Sequence, residues 1–172
     1  AAATLGYSHA LSETSEYPQA SRFAPAAPSN YKHVTGTRAI NRVVIHITDG
    51  GAKTSGTVGW FQNTNQLNAN GKHITVSAHY VVGQDGEVVQ MVHHNDVAWH
   101  AGKANGDSIG IEHCANKRGP NPTVPQYEAS AALVRFLCDT YGIPIDRDHI
   151  LGHKEADPSP THDCPSQICD WD

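Results

Sequence analysis

Arg42-Val43-Val44-Ile45-His46-Ile47 is short, β-branched and apolar between its ends except for one histidine. A continuous run of this kind, stopped by Asp49-Gly50-Gly51, predicts a central strand covered on both faces. His46 then carries two ring nitrogens into a place where water is scarce. A core histidine bonded to backbone is the ordinary explanation for one such residue. A metal ligand is the other.

Working outward, Thr57 to Asn63 reads as a short helix with Val58, Trp60 and Phe61 available for burial. Val76–Val82 and Glu87–Val92, joined through Gln84-Asp85-Gly86, read as a hairpin, because Asp-Gly accepts positive φ. Ser108–His113 is a further strand. Pro125 to Tyr141 is an amphipathic helix presenting Ala132, Leu133, Phe136 and Leu137, ended by Gly142 and Pro144. Ile150-Leu151 then leads into Gly152-His153. The expected architecture is a single α/β domain, a mixed central sheet flanked by helices, over residues 39–172. Residues 1–38, rich in Ala, Ser and Pro, are expected to form an extended arm packed on it, with Tyr17, Phe23 and Tyr31 as anchors.

A chain of 172 residues is long enough for one domain with a real core. Its net charge of −5 argues against a nucleic-acid partner, which calls for a basic face. No run approaches the roughly 18 apolar residues of a membrane span, so membrane insertion is not expected. Ala1 to Ala10 lacks the basic start and apolar middle of a signal peptide. Four cysteines, Cys114, Cys138, Cys164 and Cys169, are too few and too unevenly spread for a disulfide scaffold, although Cys114–Cys138 and Cys164–Cys169 bridges are both open. Histidine is the outlier: its 12 copies equal Lys and Arg together, and surface polarity accounts for most of them.

The exception is a second cluster near the C-terminus. Gly152-His153 and Thr161-His162-Asp163-Cys164-Pro165 flank the stiff segment Pro158-Ser159-Pro160, which can hold the loop's ends close. With His46 they offer imidazole and thiolate, the ligands zinc prefers, and three ligands leave a fourth tetrahedral position open for a reactive water.

Six ordered segments carry a resemblance. They are Val43-Val44-Ile45-His46, Val76-Ser77-Ala78-His79-Tyr80, Asp85-Gly86-Glu87-Val88-Val89-Gln90, Ala98-Trp99-His100-Ala101-Gly102, Ser108-Ile109-Gly110-Ile111-Glu112 and Gly152-His153. Together they resemble the zinc-dependent N-acetylmuramoyl-L-alanine amidases that share a fold with peptidoglycan recognition proteins. The resemblance implies one Zn²⁺ held by His46, His153 and Cys164, with Asp163 the alternative third ligand by a gap-free count from His153. It implies Glu112 as catalytic acid/base and His162 in the place of an oxyanion-stabilising cation that is often Lys. Ala78 stands where some relatives have a catalytic tyrosine. Trp99, His100 and His79 fall among substrate-binding positions, although His79 suits packing or support of the ligands better than a fourth ligand. The implied substrate is peptidoglycan or a muropeptide, cleaved between N-acetylmuramic acid and L-alanine by a monomer that is secreted or exposed in the cell envelope. Two alternatives remain at this point: a non-catalytic peptidoglycan-binding module on the same fold, and a hydrolase using Cys164 as nucleophile beside His162.

Overall fold

The computed structural model describes residues 14–159 and 163–165. In chain order its strands are β1 (Arg22–Phe23), β2 (Tyr31–Lys32), β3 (Arg42–Ile47), β4 (Tyr80–Val82), β5 (Val88–Gln90), β6 (Val97–Ala98), β7 (Ser108–His113) and β8 (Ile150–Gly152). Its helices are α1 (Thr54–Gln62), α2 (Val124–Tyr141) and the single turn α3 (His153–Ala156). The main sheet runs β1-β5-β4-β7-β3-β8, and β2 pairs with β6 beside it. Strands β4, β7, β3 and β8 are mutually parallel, and β5 is antiparallel to β4. The mixed α/β class follows from this arrangement. No helix among the described residues is long and apolar enough to cross a membrane.

Alternation along β3 and β7 divides the molecule into two faces. Val43, Ile45, Ile109 and Ile111 point to the face covered by α2, where they join Leu133, Leu137 and Tyr80 in the larger core. Val44, His46, Gly110 and Glu112 occupy the alternate positions on the other face. On that second face Val81 of β4 and Val89 of β5 join Val58 and Phe61 of α1 in a second core.

Helix α2 is capped as its sequence suggests. Thr123 accepts a bond from the Gln126 N–H, and Gly142 takes the left-handed φ of 65° that ends it. Its buried stripe is wider than apolar residues alone indicate. Gln126 and Ser130 are buried with Leu133, Leu137 and Cys138, whereas Ala132 is exposed. Gln126 Nε2 donates to the carbonyls of Val82 and Cys114 while its Oε1 is buried without a partner, and Ser130 Oγ meets His113 Nε2 at 2.6 Å. Helix α1 begins at Thr54, three residues before the expected start. Gly56 and Gly59 are poor helix formers that mask its first turns. The hairpin ladder is shorter than expected because Val76 to His79 run outside it, with Ser77 donating to the Asn30 carbonyl. Cys114 and Cys138 are free thiols: the first lies in the α1-side core and the second in the α2-side core, with the sheet between them.

Described residues of the N-terminal segment are tied to the sheet. Strand β1 adds to β5 in parallel, and Tyr17 is buried against Tyr80 and Phe136. Phe23 stacks on His93 at 4.3 Å. Glu16 is the knot: its carboxylate accepts from the His94 N–H at 3.0 Å, from Gln90 Nε2 at 3.1 Å, and meets His93 Nδ1 at 2.5 Å. Replacing it removes the acceptor of the His94 N–H and the partner of His93 Nδ1, while Gln90 Nε2 keeps its bond to the Val92 carbonyl. Glu16→Ala is expected to lower stability by about 2 kcal/mol in chemical denaturation and to speed tryptic cleavage after Arg22.

Candidate metal centre and active-site cleft

Parallel pairing sets the site. His46 is opposite Glu112 across β3 and β7, and Ile45 is opposite Gly152 across β3 and β8. One step beyond Gly152 is His153. Three adjacent strands therefore bring His153, His46 and Glu112 to one level at their carboxyl ends, where open α/β sheets place their ligands.

Cys164 arrives from the C-terminal loop. Gly152 admits it, because a Cβ there would lie 2.6 Å from Pro165 Cδ. The Lys154 N–H donates to the Cys164 carbonyl at 2.8 Å, and the Ile47 N–H points at Cys164 Sγ from 3.3 Å. Donor atoms of His46, His153 and Cys164 lie within 4.8 Å of one another. Sγ is 3.8 Å from His46 Nδ1, so Nδ1 is the nitrogen that faces the other two residues. Asp163 is turned outward instead, with Oδ2 3.8 Å from Lys117 Nζ. The convergent set is thus His46, His153 and Cys164. His162 and Cys169 lie outside the described residues.

Glu112 brings a carboxyl to the same level as His46. Its Oε2 is buried without a hydrogen-bond partner, and burial pushes the carboxyl up to about 8. A carboxyl in this state holds its proton near neutrality and gives it up to a neighbouring positive charge. An orphaned buried oxygen beside two imidazoles and a thiolate fits a cation at that spot.

The group lines a cleft of about 900 Å³, within the range of small-molecule sites. His100 and the half-buried Trp99 line it, as does Ser77. The expected substrate contact of His79 is corrected: this ring is fully buried and does not reach the cleft. Its Nδ1 accepts from the Gly110 N–H at 3.1 Å, so Nε2 carries the hydrogen and donates to the Asp96 carbonyl at 2.9 Å. Burial, then the Arg38 guanidinium, holds it well below the ordinary histidine range. It is a neutral strut behind the His100 ring, edge to face with it at 5.9 Å between centroids.

One wall of the cleft was not expected as a site. Lys53, Gly56, Thr57 and Trp60 line it from α1. Their spacing of three, four and seven residues is a single helical face, which adjoins the buried face of Thr54, Val58 and Phe61. Trp60 was expected as core because aromatic residues usually are. The stripe was present in the sequence, but only the placement of α1 beside the metal ligands makes it a wall.

Residues 36–167 match the family described as N-acetylmuramoyl-L-alanine amidase. The chain is 34% identical over 121 residues to N-acetylmuramoyl-L-alanine amidase A of Achromobacter lyticus, across 69% of this chain and 62% of that protein. It is 36% identical over 110 residues to 1,6-anhydro-N-acetylmuramyl-L-alanine amidase AmpD of Escherichia coli (strain K12), across 58% of this chain and 56% of that one. It therefore spans about three-fifths of the length of these curated relatives. Among solved structures, a selenomethionine derivative of AmpD superposes with a TM-score of 0.72 at 27% identity, covering 94% of this chain and 92% of that one. PlyL superposes with a TM-score of 0.64 at 23% identity over 84% of this chain and 85% of its own, a likeness of fold.

The Glu112 environment has a measurable sign. Its folded pKa is raised, so its contribution is full below the unfolded value of about 4.5 and is lost as pH rises through about 8. Buried His94 and His113, both lowered to about 4, act oppositely and destabilise on acidification. The comparison of variants isolates the carboxyl. In metal-free protein, Glu112→Gln is expected to gain stability relative to wild type by a few kcal/mol between about pH 4.5 and about pH 8, read by urea denaturation.

Proposed function

The chain belongs to the N-acetylmuramoyl-L-alanine amidase family, and from that premise we propose that it hydrolyses the amide joining the lactyl group of N-acetylmuramic acid to L-alanine in peptidoglycan or muropeptides. The observation that carries the proposal is the convergence of His46, His153 and Cys164 on the cleft floor, one strand away from the buried carboxyl of Glu112. A binding module needs the cleft but not a three-donor set beside an acid/base group.

Two imidazoles and a thiolate are a zinc donor set, and they carry one negative charge between them, so a bound divalent ion leaves the site net positive. When bound, zinc supplies Lewis-acid polarisation of the carbonyl and acidifies water. Glu112 then has a defined task. Its oxygen takes a proton from the attacking water and passes it to the departing amine nitrogen of L-alanine. The surroundings that raise its pKa suit a group that must hold that proton between the two steps. Trp60 and Trp99 supply apolar surface for the substrate along the cleft, while Lys53, Ser55 and Thr57 supply polar contacts. His162 is proposed as an N–H donor to the tetrahedral oxyanion. A secreted or envelope-exposed location follows from the substrate.

Chelation is expected to abolish release of stem peptides from purified peptidoglycan, and added zinc to restore it; release that survives thorough chelation would overturn the mechanism. Glu112→Gln should retain zinc, measured by elemental analysis, while turnover falls about 100-fold or more.

A further inference from the structure

The hydrogen bonds behind His46 form a directed chain, and its direction can be worked out atom by atom. Its far end is a carbonyl, Ala104 O, which can only accept. Ser108 Oγ lies 2.6 Å from it, so the single hydroxyl proton of Ser108 is committed there. The oxygen of Ser108 is then an acceptor toward His100 Nε2, 3.2 Å away, and Nε2 must carry the hydrogen. The other ring nitrogen, His100 Nδ1, lies 3.0 Å from His46 Nε2. With the His100 hydrogen on Nε2, Nδ1 accepts and His46 Nε2–H donates. That leaves the lone pair of His46 on Nδ1, the nitrogen facing Cys164 and His153.

The seat of His100 is built to hold this geometry. Asn105 Oδ1 accepts from the backbone N–H groups of His100 and Ala101 at 3.0 and 2.6 Å. The ring lies directly over Gly110, where a Cβ would come within 2.6 Å of its Cγ and Nδ1. Only a residue without a side chain lets the imidazole settle there.

We propose that His100 and Ser108 are positioning residues that impose the Nε2–H tautomer on His46 and so aim its Nδ1 lone pair at the metal. This rests on the metal reading given above, and it reassigns His100 from substrate contact to control of a ligand. Free imidazole exchanges its proton between two nitrogens, and only one tautomer of His46 can ligate in this position. Fixing that tautomer before the ion arrives removes a competing state and makes the donor more basic.

The test separates tautomer from activity. In metal-free wild type, nitrogen-15 correlation spectra should show His46 protonated on Nε2. Zinc affinity, measured by competition with a chromophoric chelator, should fall about 10- to 100-fold in His100→Ala. His100→Asn places Oδ1 close to the position of Nδ1, restores an acceptor for His46, and should recover most of the loss. Ser108→Ala frees His100 to turn its hydrogen toward His46, and should lower zinc affinity and shift His46 toward the Nδ1–H form. Circular dichroism establishes that each variant is folded. Should His100→Ala fail to fold, the wild-type spectrum and the Asn variant still decide the matter. The relay is overturned if wild-type His46 carries its proton on Nδ1, if folded His100→Ala binds zinc within about twofold of wild type, or if His100→Asn falls as far as His100→Ala. A wild type that binds no zinc at all would instead overturn the metal reading, and the tautomer of His46 would still test the relay.

Discussion

Parallel, in-register pairing of β8, β3 and β7 is the constraint from which the rest of the structure follows. Because side chains alternate along each strand, one register places Val43, Ile45, Ile109 and Ile111 together under α2 and His46 and Glu112 together on the opposite face. A slip of one residue between β3 and β7 would put an ionisable group in the core and an isoleucine in the cleft. The apolar face thus enforces the chemistry of the polar one. The same pairing carries β8 to Gly152 and releases the chain at His153, beside His46. Gly110 and Gly152 complete the arrangement, one by admitting the His100 ring and the other by admitting Pro165.

Burying this many polar side chains is costly unless each has a partner. Most have one. His79 is held between Gly110 and Asp96, His113 between His46 and Ser130, and His94 between Tyr80 and Tyr141. Glu112 is the contrast, since its buried Oε2 has none. Among the described residues Gln126 Oε1, under α2, also lacks a partner, but Glu112 Oε2 is the unsatisfied atom that lies at the cleft, where the proposed reaction moves a proton. That separation between supporting and reactive groups is what a preorganised site requires.

Much of this was legible in the chain. Arg42–Ile47 and Ser108–His113 are strands with the bounds their patterns indicate, because short β-branched runs between turn residues have few alternatives. Helix α2 was visible from its caps and its leucines, but Gln126 and Ser130 were not visible as buried, since their partners come from β4 and from the end of β7 and its following residue. Helix α1 was partly hidden by its glycines, and its cleft-facing stripe was indistinguishable from an ordinary exposed face. His79 and His100 both fell among substrate positions. Their rings pack edge to face with centroids 5.9 Å apart, His79 sealed in the interior and His100 in front of it at the cleft, and composition has no means of separating them.

By itself, the sequence determined which residue types were available for chemistry and on which strands they would ride: a histidine in a buried strand, a glutamate at the end of another, and a histidine and a cysteine around a proline-stiffened loop. Hydrophobic periodicity and ligand chemistry are local properties, so they can be read locally. Only the tertiary structure decided that Cys164 converges with His46 and His153 while its neighbour Asp163 turns to Lys117. Only the structure made His100 the partner of His46. Both outcomes depend on which strands lie side by side and on how closely a glycine lets another segment approach, and these are relations between parts of the chain 54 and 118 residues apart.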